Sequence, residues 1–148
     1  MPVTGRKPKP EGQAITRHKP TTDWVEVEDV PYDGERPDLP AKRTVMTQFG
    51  PKDFAVKKMT RQWWDVISSM PHCNLWTLSD WAFAVTTAMV ADAVFSGTTG
   101  AAAELRQREK ILGTTVDFRR DLRIRYVDPK TSVETAANVT QLDDYRDL

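Results

Sequence analysis

From Leu78 to Phe95 the chain reads LSDWAFAVTTAMVADAVF, and a helix drawn through these residues is apolar on almost every face. Leu78, Trp81, Val85 and Met89 share one side, Phe83, Val90 and Val94 a second, and Ala84, Ala88, Ala91 and Phe95 a third. A helix of this kind must be surrounded by protein, and a single antiparallel neighbour would leave part of it in water. Thr86, Thr87 and Asp92 interrupt its apolar core, which is also shorter than the roughly 20 residues that span a bilayer, so a buried helix is expected and no membrane contact.

Its flanks supply the remaining elements. Thr77 followed by Asp80 forms a start of the capping-box kind, and Ser96-Gly97 is the stop. Upstream, Val56, Met59, Trp63, Val66 and Met70 alternate threes and fours. This spacing fits a helix opening at Pro51, or a shorter one capped by Thr60 and closed by Pro71. Downstream, Gly100–Leu112 is rich in helix formers, with Ala101, Leu105, Arg108 and Leu112 along one stripe and Gly113 at the left-handed cap position. Thr115 then caps a last predicted helix from Val116 to about Val127, with Asp117 in its first turn and Asp128-Pro129 at its end. The fold class expected is all-α: a small oligomerising helical bundle around a central buried helical hairpin.

Outside this core the pattern fades. Pro2, Pro8, Pro10, Pro20, Pro31, Pro37 and Pro40 punctuate the first forty residues, which lack the apolar surface to offset their ordering entropy. The brief alternation Trp24-Val25-Glu26-Val27-Glu28 suits a short strand or an extended piece docked on a neighbour. Docking or disorder is the expectation, because a strand of that length is not stable alone. Residues 1–50 are thus predicted to be a mostly disordered basic arm and acidic linker, 51–127 the helical core, and 128–148 a polar tail. Charge supports the first division. Arg6, Lys7, Lys9, Arg17 and Lys19 oppose Glu11 alone, whereas Asp23, Glu26, Glu28, Asp29, Asp33, Glu35 and Asp38 oppose only Arg36. Over the whole chain 21 basic and 21 acidic side chains cancel, so net charge alone points to no polyanionic partner.

Chemical centres are hard to assemble. The single cysteine, Cys73, excludes an internal disulfide framework and favours a reducing compartment; with no apolar run behind the basic N-terminus, a cytoplasmic setting is expected. His72 and Cys73 are adjacent but have no second pair to complete a tetrahedral metal site, and the other histidine, His18, lies in the arm. Neither a GxxxxGK[ST] loop nor a GxGxxG fingerprint occurs, and the carboxylate pairs Glu28-Asp29 and Asp143-Asp144 sit in polar surroundings. No catalytic residue, metal ligand or cofactor site is therefore assigned.

Two groups remain. Trp63, Trp64, Trp76 and Trp81 could stack on bases, but at helical core spacing they are better read as packing anchors. With Val85, Met89, Phe95, Leu105 and Leu122, residues Trp63, Trp64 and Trp81 form the predicted core or oligomer interface. Arg119, Arg120, Arg123 and Arg125 crowd the last helix beside the apolar stripe Phe118, Leu122 and Tyr126; they suit either a solvated face with ion pairs or phosphate contact. A flexible basic arm gives salt-dependent DNA affinity cheaply. The candidate DNA-binding residues are therefore Arg6, Lys7, Lys9, Arg17, Lys19, Arg119, Arg120 and Arg123.

One resemblance orders these parts. Thr60-Arg61-Gln62-Trp63-Trp64, Ser69-Met70-Pro71, Trp76-Thr77 with Ser79-Asp80-Trp81, Ala103-Glu104-Leu105-Arg106 with Arg108-Glu109, and Leu112-Gly113-Thr114-Thr115 leading to Arg119-Arg120 and Leu122-Arg123 follow one another as in the small subunit of phage terminases, in the form found in actinobacteriophages. The resemblance covers about Thr60 to Tyr126. Val116 stands where that family often has proline, and Pro71-His72-Cys73-Asn74 is less alanine-rich than its pattern. It implies a non-enzymatic packaging adaptor in the host cytoplasm that recognises viral double-stranded DNA, assembles into a ring-like homo-oligomer and regulates the large terminase subunit, the partner responsible for ATP hydrolysis and DNA cleavage. Two alternatives are a helix-turn-helix regulator built on Arg61–Met70 and Leu78–Phe95, and a structural phage assembly protein. The second of those helices is too apolar to read a major groove.

Overall fold

The computed structural model describes residues 23–129, of which about 50% are helical and 19% lie in strands. The all-α expectation is corrected: the domain is mixed α/β, with two small sheets beside its helices. In chain order it contains β1 (Val25–Glu28), β2 (Lys42–Thr47), β3 (Gly50–Ala55), α1 (Lys58–Ile67), α2 (Leu78–Phe95), α3 (Ala102–Leu112), α4 (Val116–Asp121) and β4 (Ile124–Val127). Short 3-10 turns at Pro71–Leu75 and Thr99–Ala101 flank α2.

The strands occupy segments that sequence pattern assigns to linker or helix end. β1 pairs in parallel with β4, Val25 opposite Ile124 and Glu28 opposite Val127, so the Trp24–Glu28 alternation finds its partner inside the same domain. β4 is the stretch predicted as the end of the last helix. There Arg123 turns to φ 58°, left-handed for a non-glycine residue, and the β-favouring Ile124, Tyr126 and Val127 follow as strand. Pro51 starts no helix. β2 and β3 form an antiparallel hairpin with Thr47 opposite Gly50, and α1 begins only at Lys58. The Gly50-Pro51 pair between two runs containing Val45, Met46 and Phe54 is a turn signal that the longer helical spacing obscures.

Thr60 caps no helix, since it lies buried inside α1 behind the N-cap Lys57, but the later caps follow the sequence. The Thr77 N–H donates to Asp80 Oδ2 at 2.8 Å at the head of α2, Gly113 ends α3 at φ 71°, and Thr115 Oγ1 accepts from the Phe118 N–H at 3.3 Å. A Cβ on Gly113 would lie 3.1 Å from Leu122 and 3.2 Å from His72, so the position demands both the left-handed backbone and the missing side chain.

The core gathers around one face of α2. Ala84, Ala88 and Ala91 are fully buried, and their small size lets aromatic rings approach. Trp64 meets Trp81 edge to face at 6.2 Å between centroids, Trp76 lies 4.8 Å from Trp81, and Tyr32 packs on Trp81 at 5.6 Å. Ile67, Met70, Cys73 and Leu112 complete the cluster. The other faces of α2 are less covered: Val85, Met89, Val90, Val94 and Phe95 are half-buried and Leu78 is exposed. By length and composition alone α2 would suffice to cross a membrane, yet only a third of it is buried within the chain.

Asp92 completes the buried face of α2. Its carboxylate accepts from Thr60 Oγ1 at 2.7 Å, the Lys57 N–H at 2.8 Å and Arg43 Nε at 2.8 Å. One fully buried anion thus joins α2 to the head of α1 and the base of the hairpin. Burial pushes this carboxyl up, but the bonds from the Lys57 N–H, Arg43 and Thr60 outweigh it and leave it below the usual range.

Replacing Asp92 with Ala strands three donors and should cost about 3–5 kcal/mol in urea unfolding, as when one member of a buried ion pair is removed. A loss below about 1 kcal/mol would show that the hairpin and α1 are held by other means. Because the unfolded chain takes up the Asp92 proton more readily than the folded one, this contribution is complete above about pH 4 and fades as pH falls further.

Candidate nucleic-acid interface

The arginines of the last helix part company in the structure. Arg119 Nη1 donates to the Gly113 and Thr114 carbonyls, each at 3.2 Å, and its guanidinium stacks 4.6 Å from the centre of the Tyr126 ring. It closes the carbonyls left open at the α3 terminus. Arg120 pairs with Asp117 at 3.3 Å across one turn of α4. Arg123 is exposed, and its side chain meets no partner among the described residues. Arg125 bonds Glu26 across the β1–β4 ladder. Arg6, Lys7, Lys9, Arg17 and Lys19 lie outside the described residues.

Of the residues assigned to core or interface, Trp64, Trp81 and Leu105 are buried. Trp63, Val85, Met89 and Phe95 are half-buried, with Trp63 Nε1 donating to Glu109 Oε1 at 3.1 Å, and Leu122 is 41% exposed. Of this second set Trp63, Val85 and Met89 pack against the core cluster while keeping part of their surface open.

Arg119 belongs to a polar node that the sequence does not disclose. His72 is buried, with Nε2 at 2.8 Å from the Leu112 carbonyl and Nδ1 at 2.6 Å from the Tyr126 hydroxyl. A carbonyl only accepts, so Nε2 carries the proton and Nδ1 accepts from Tyr126. Burial lowers the His72 pKa, the bond to Leu112 opposes this, and the Arg119 charge adds to the lowering. The ring is therefore neutral at pH 7 in the folded state. Cys73 beside it donates Sγ–H to the Ile67 carbonyl at 3.2 Å, and burial pushes its thiol up to about 12, so it offers no thiolate at neutral pH. Among the described residues no group of three or more His, Cys, Asp or Glu is placed to hold a metal ion.

The exposed cations without an ion-pair partner among the described residues lie largely elsewhere. Lys42 and Lys52 flank the β2–β3 hairpin, and Lys57, Lys58 and Arg61 surround the head of α1. No acidic residue stands in the first turn of α1. Spread over three separate elements, these positions make no basic run and do not stand out in the sequence.

The small mixed α/β domain thus carries a half-covered apolar helix, a closed polar node and exposed cations that lack ion-pair partners among the described residues. A family model described as phage terminase small subunit matches residues 3–148, and the chain belongs to that family. Members are generally non-catalytic components of phage DNA packaging, associated with DNA and the large terminase and acting in the host cytoplasm. No curated protein and no solved structure matches the chain.

The His72 node sets a pH dependence distinct from that of Asp92. The unfolded chain protonates near pH 6.5 whereas the folded ring resists, so stability is complete above that pH and falls as pH drops towards the lowered folded value. Thermal unfolding between pH 7 and 5 should show a declining midpoint, and His72→Gln should flatten the decline. An unchanged slope in the variant would remove His72 as its source.

Proposed function

We propose that this chain is a non-enzymatic packaging adaptor that recognises viral double-stranded DNA, assembles into a homo-oligomeric ring and regulates the large terminase subunit. The observation that carries this reading is the family match over residues 3–148. The half-covered α2 supports the assembly step: the open parts of Val85, Met89 and Phe95, and separately of Trp63 and Leu122, are apolar surface that further copies of the chain would bury. Trp64, Trp81 and Leu105 serve the fold beneath. For DNA, the arm cations Arg6, Lys7, Lys9, Arg17 and Lys19 act with Arg123, while Arg119 and Arg120 can contribute to the same field from their structural positions.

Light scattering at micromolar concentration should give a closed oligomer, and Val85→Asp with Met89→Asp should dissociate it while helical content stays constant. A strictly monomeric wild type overturns the assembly reading. Deleting residues 1–19 should weaken binding to duplex DNA and reduce the magnitude of the slope of log K against log salt by up to about 4.5, since five cations leave with the arm. An undiminished slope would detach DNA binding from the arm.

A further inference from the structure

The β2–β3 hairpin offers its domain little and solvent a great deal. A two-stranded ribbon is marginal alone. This one is held at its base by Arg43 on Asp92 and by the Val56 N–H on the Ala41 carbonyl at 3.1 Å. Midway, Thr44 Oγ1 donates to Asp53 at 2.8 Å. At the tip, the Thr47 hydroxyl donates to the Gly50 carbonyl at 2.8 Å and accepts from the Phe49 N–H at 3.2 Å, with Gly50 at φ 102°. This shaped turn displays Phe49, 92% exposed, and Met46, 77% exposed.

The electrostatics say what would cover it. Lys42, Lys52, Lys57, Lys58 and Arg61 are exposed with no ion-pair partner among the described residues, and the hairpin's single carboxylate, Asp53, is engaged by Thr44. Lys57 and Lys58 also stand at the positive end of α1, where cations are unfavourable in the free protein and a bound anion would relieve them. A ribbon with Lys42 on one face and Lys52 on the other, followed by the cations at the head of α1 and carrying an aromatic side chain at its tip, complements a polyanion with a groove rather than another neutral apolar surface.

We propose that the β2–β3 hairpin, with the head of α1, is a double-stranded-DNA-binding element: Lys42, Lys52, Lys57, Lys58 and Arg61 contact phosphates, and Phe49 enters the minor groove as an apolar wedge against a base step. It rests on the DNA-packaging reading and adds a site apart from the arm and α4. Wedge side chains at minor-groove steps kink the duplex, so the element bends DNA as well as holding it.

The test uses the full-length protein and a mixed-sequence duplex of about 60 base pairs, long enough to show a wedge-induced kink. Affinity is followed against salt, DNA bending by end-to-end energy transfer, oligomeric state by light scattering and folding by circular dichroism. Lys52→Ala, Lys57→Ala and Lys58→Ala together should reduce the magnitude of the salt slope by about 3, close to 0.9 for each phosphate no longer neutralised. Phe49→Ser should remove the bend and lower affinity about tenfold while the salt slope stays as in the wild type. Both variants should keep the wild-type oligomer and helical content. A wild-type slope in the triple variant overturns the site. So does a Phe49→Ser protein that loses its oligomer but bends DNA normally, which would make the hairpin a contact between copies. Binding that disappears only on deletion of residues 1–19 overturns this inference and leaves the packaging reading standing, whereas a wild type that binds no duplex overturns both.

Discussion

A single buried carboxylate organises this domain. Asp92 shares the buried face of α2 with Trp81, Ala84 and Ala88, and a charge placed there would be expelled unless its oxygens found donors. Its donors come from three places, the hairpin base at Arg43, the backbone at Lys57 and the first turn of α1 at Thr60. Apolar packing alone is tolerant of sliding, because one methyl contact resembles the next. Three hydrogen bonds converging on one residue are not, so Asp92 fixes how α1 and the hairpin are seated along α2.

The opposite corner is fixed by His72. A neutral imidazole donates to the end of α3 and accepts from Tyr126 in β4, and Arg119 lies over the same tyrosine ring while capping the same helix end. Gly113 makes room for this arrangement, since its missing Cβ is where His72 and Leu122 approach. Between the two polar corners lies the tryptophan cluster on the alanine face of α2. Directional bonds locate the ends of the helices and non-directional burial supplies the attraction between them.

The sequence discloses what is local. The Thr77 and Thr115 caps, the Gly113 terminator and the bounds of α2 depend on a few neighbouring residues and can be read directly. The strands depend on remote partners: Glu26 meets Arg125 across 99 positions, and nothing near Trp24–Glu28 specifies that pairing. β4 is hidden because Phe118, Leu122 and Tyr126 keep helical spacing through the point where Arg123 leaves the helix. On the candidate interface the same division holds. The four clustered arginines are conspicuous in the sequence, yet Arg119, Arg120 and Arg125 are engaged within the domain. The exposed lysines are scattered along the chain, on the two strands of the hairpin and at the head of α1.

The parallel pairing of β1 with β4 also has a temporal consequence. A chain is made from its N-terminus, so Val25 emerges long before Ile124, and β1 waits for nearly the whole domain before it has a strand to pair with. The hairpin and the α1–α2 pair can collapse early from nearby contacts, but the ladder that ties the two ends together closes last. During synthesis β1 therefore stays unlatched, and only a chain translated through Val127 offers it the whole of β4.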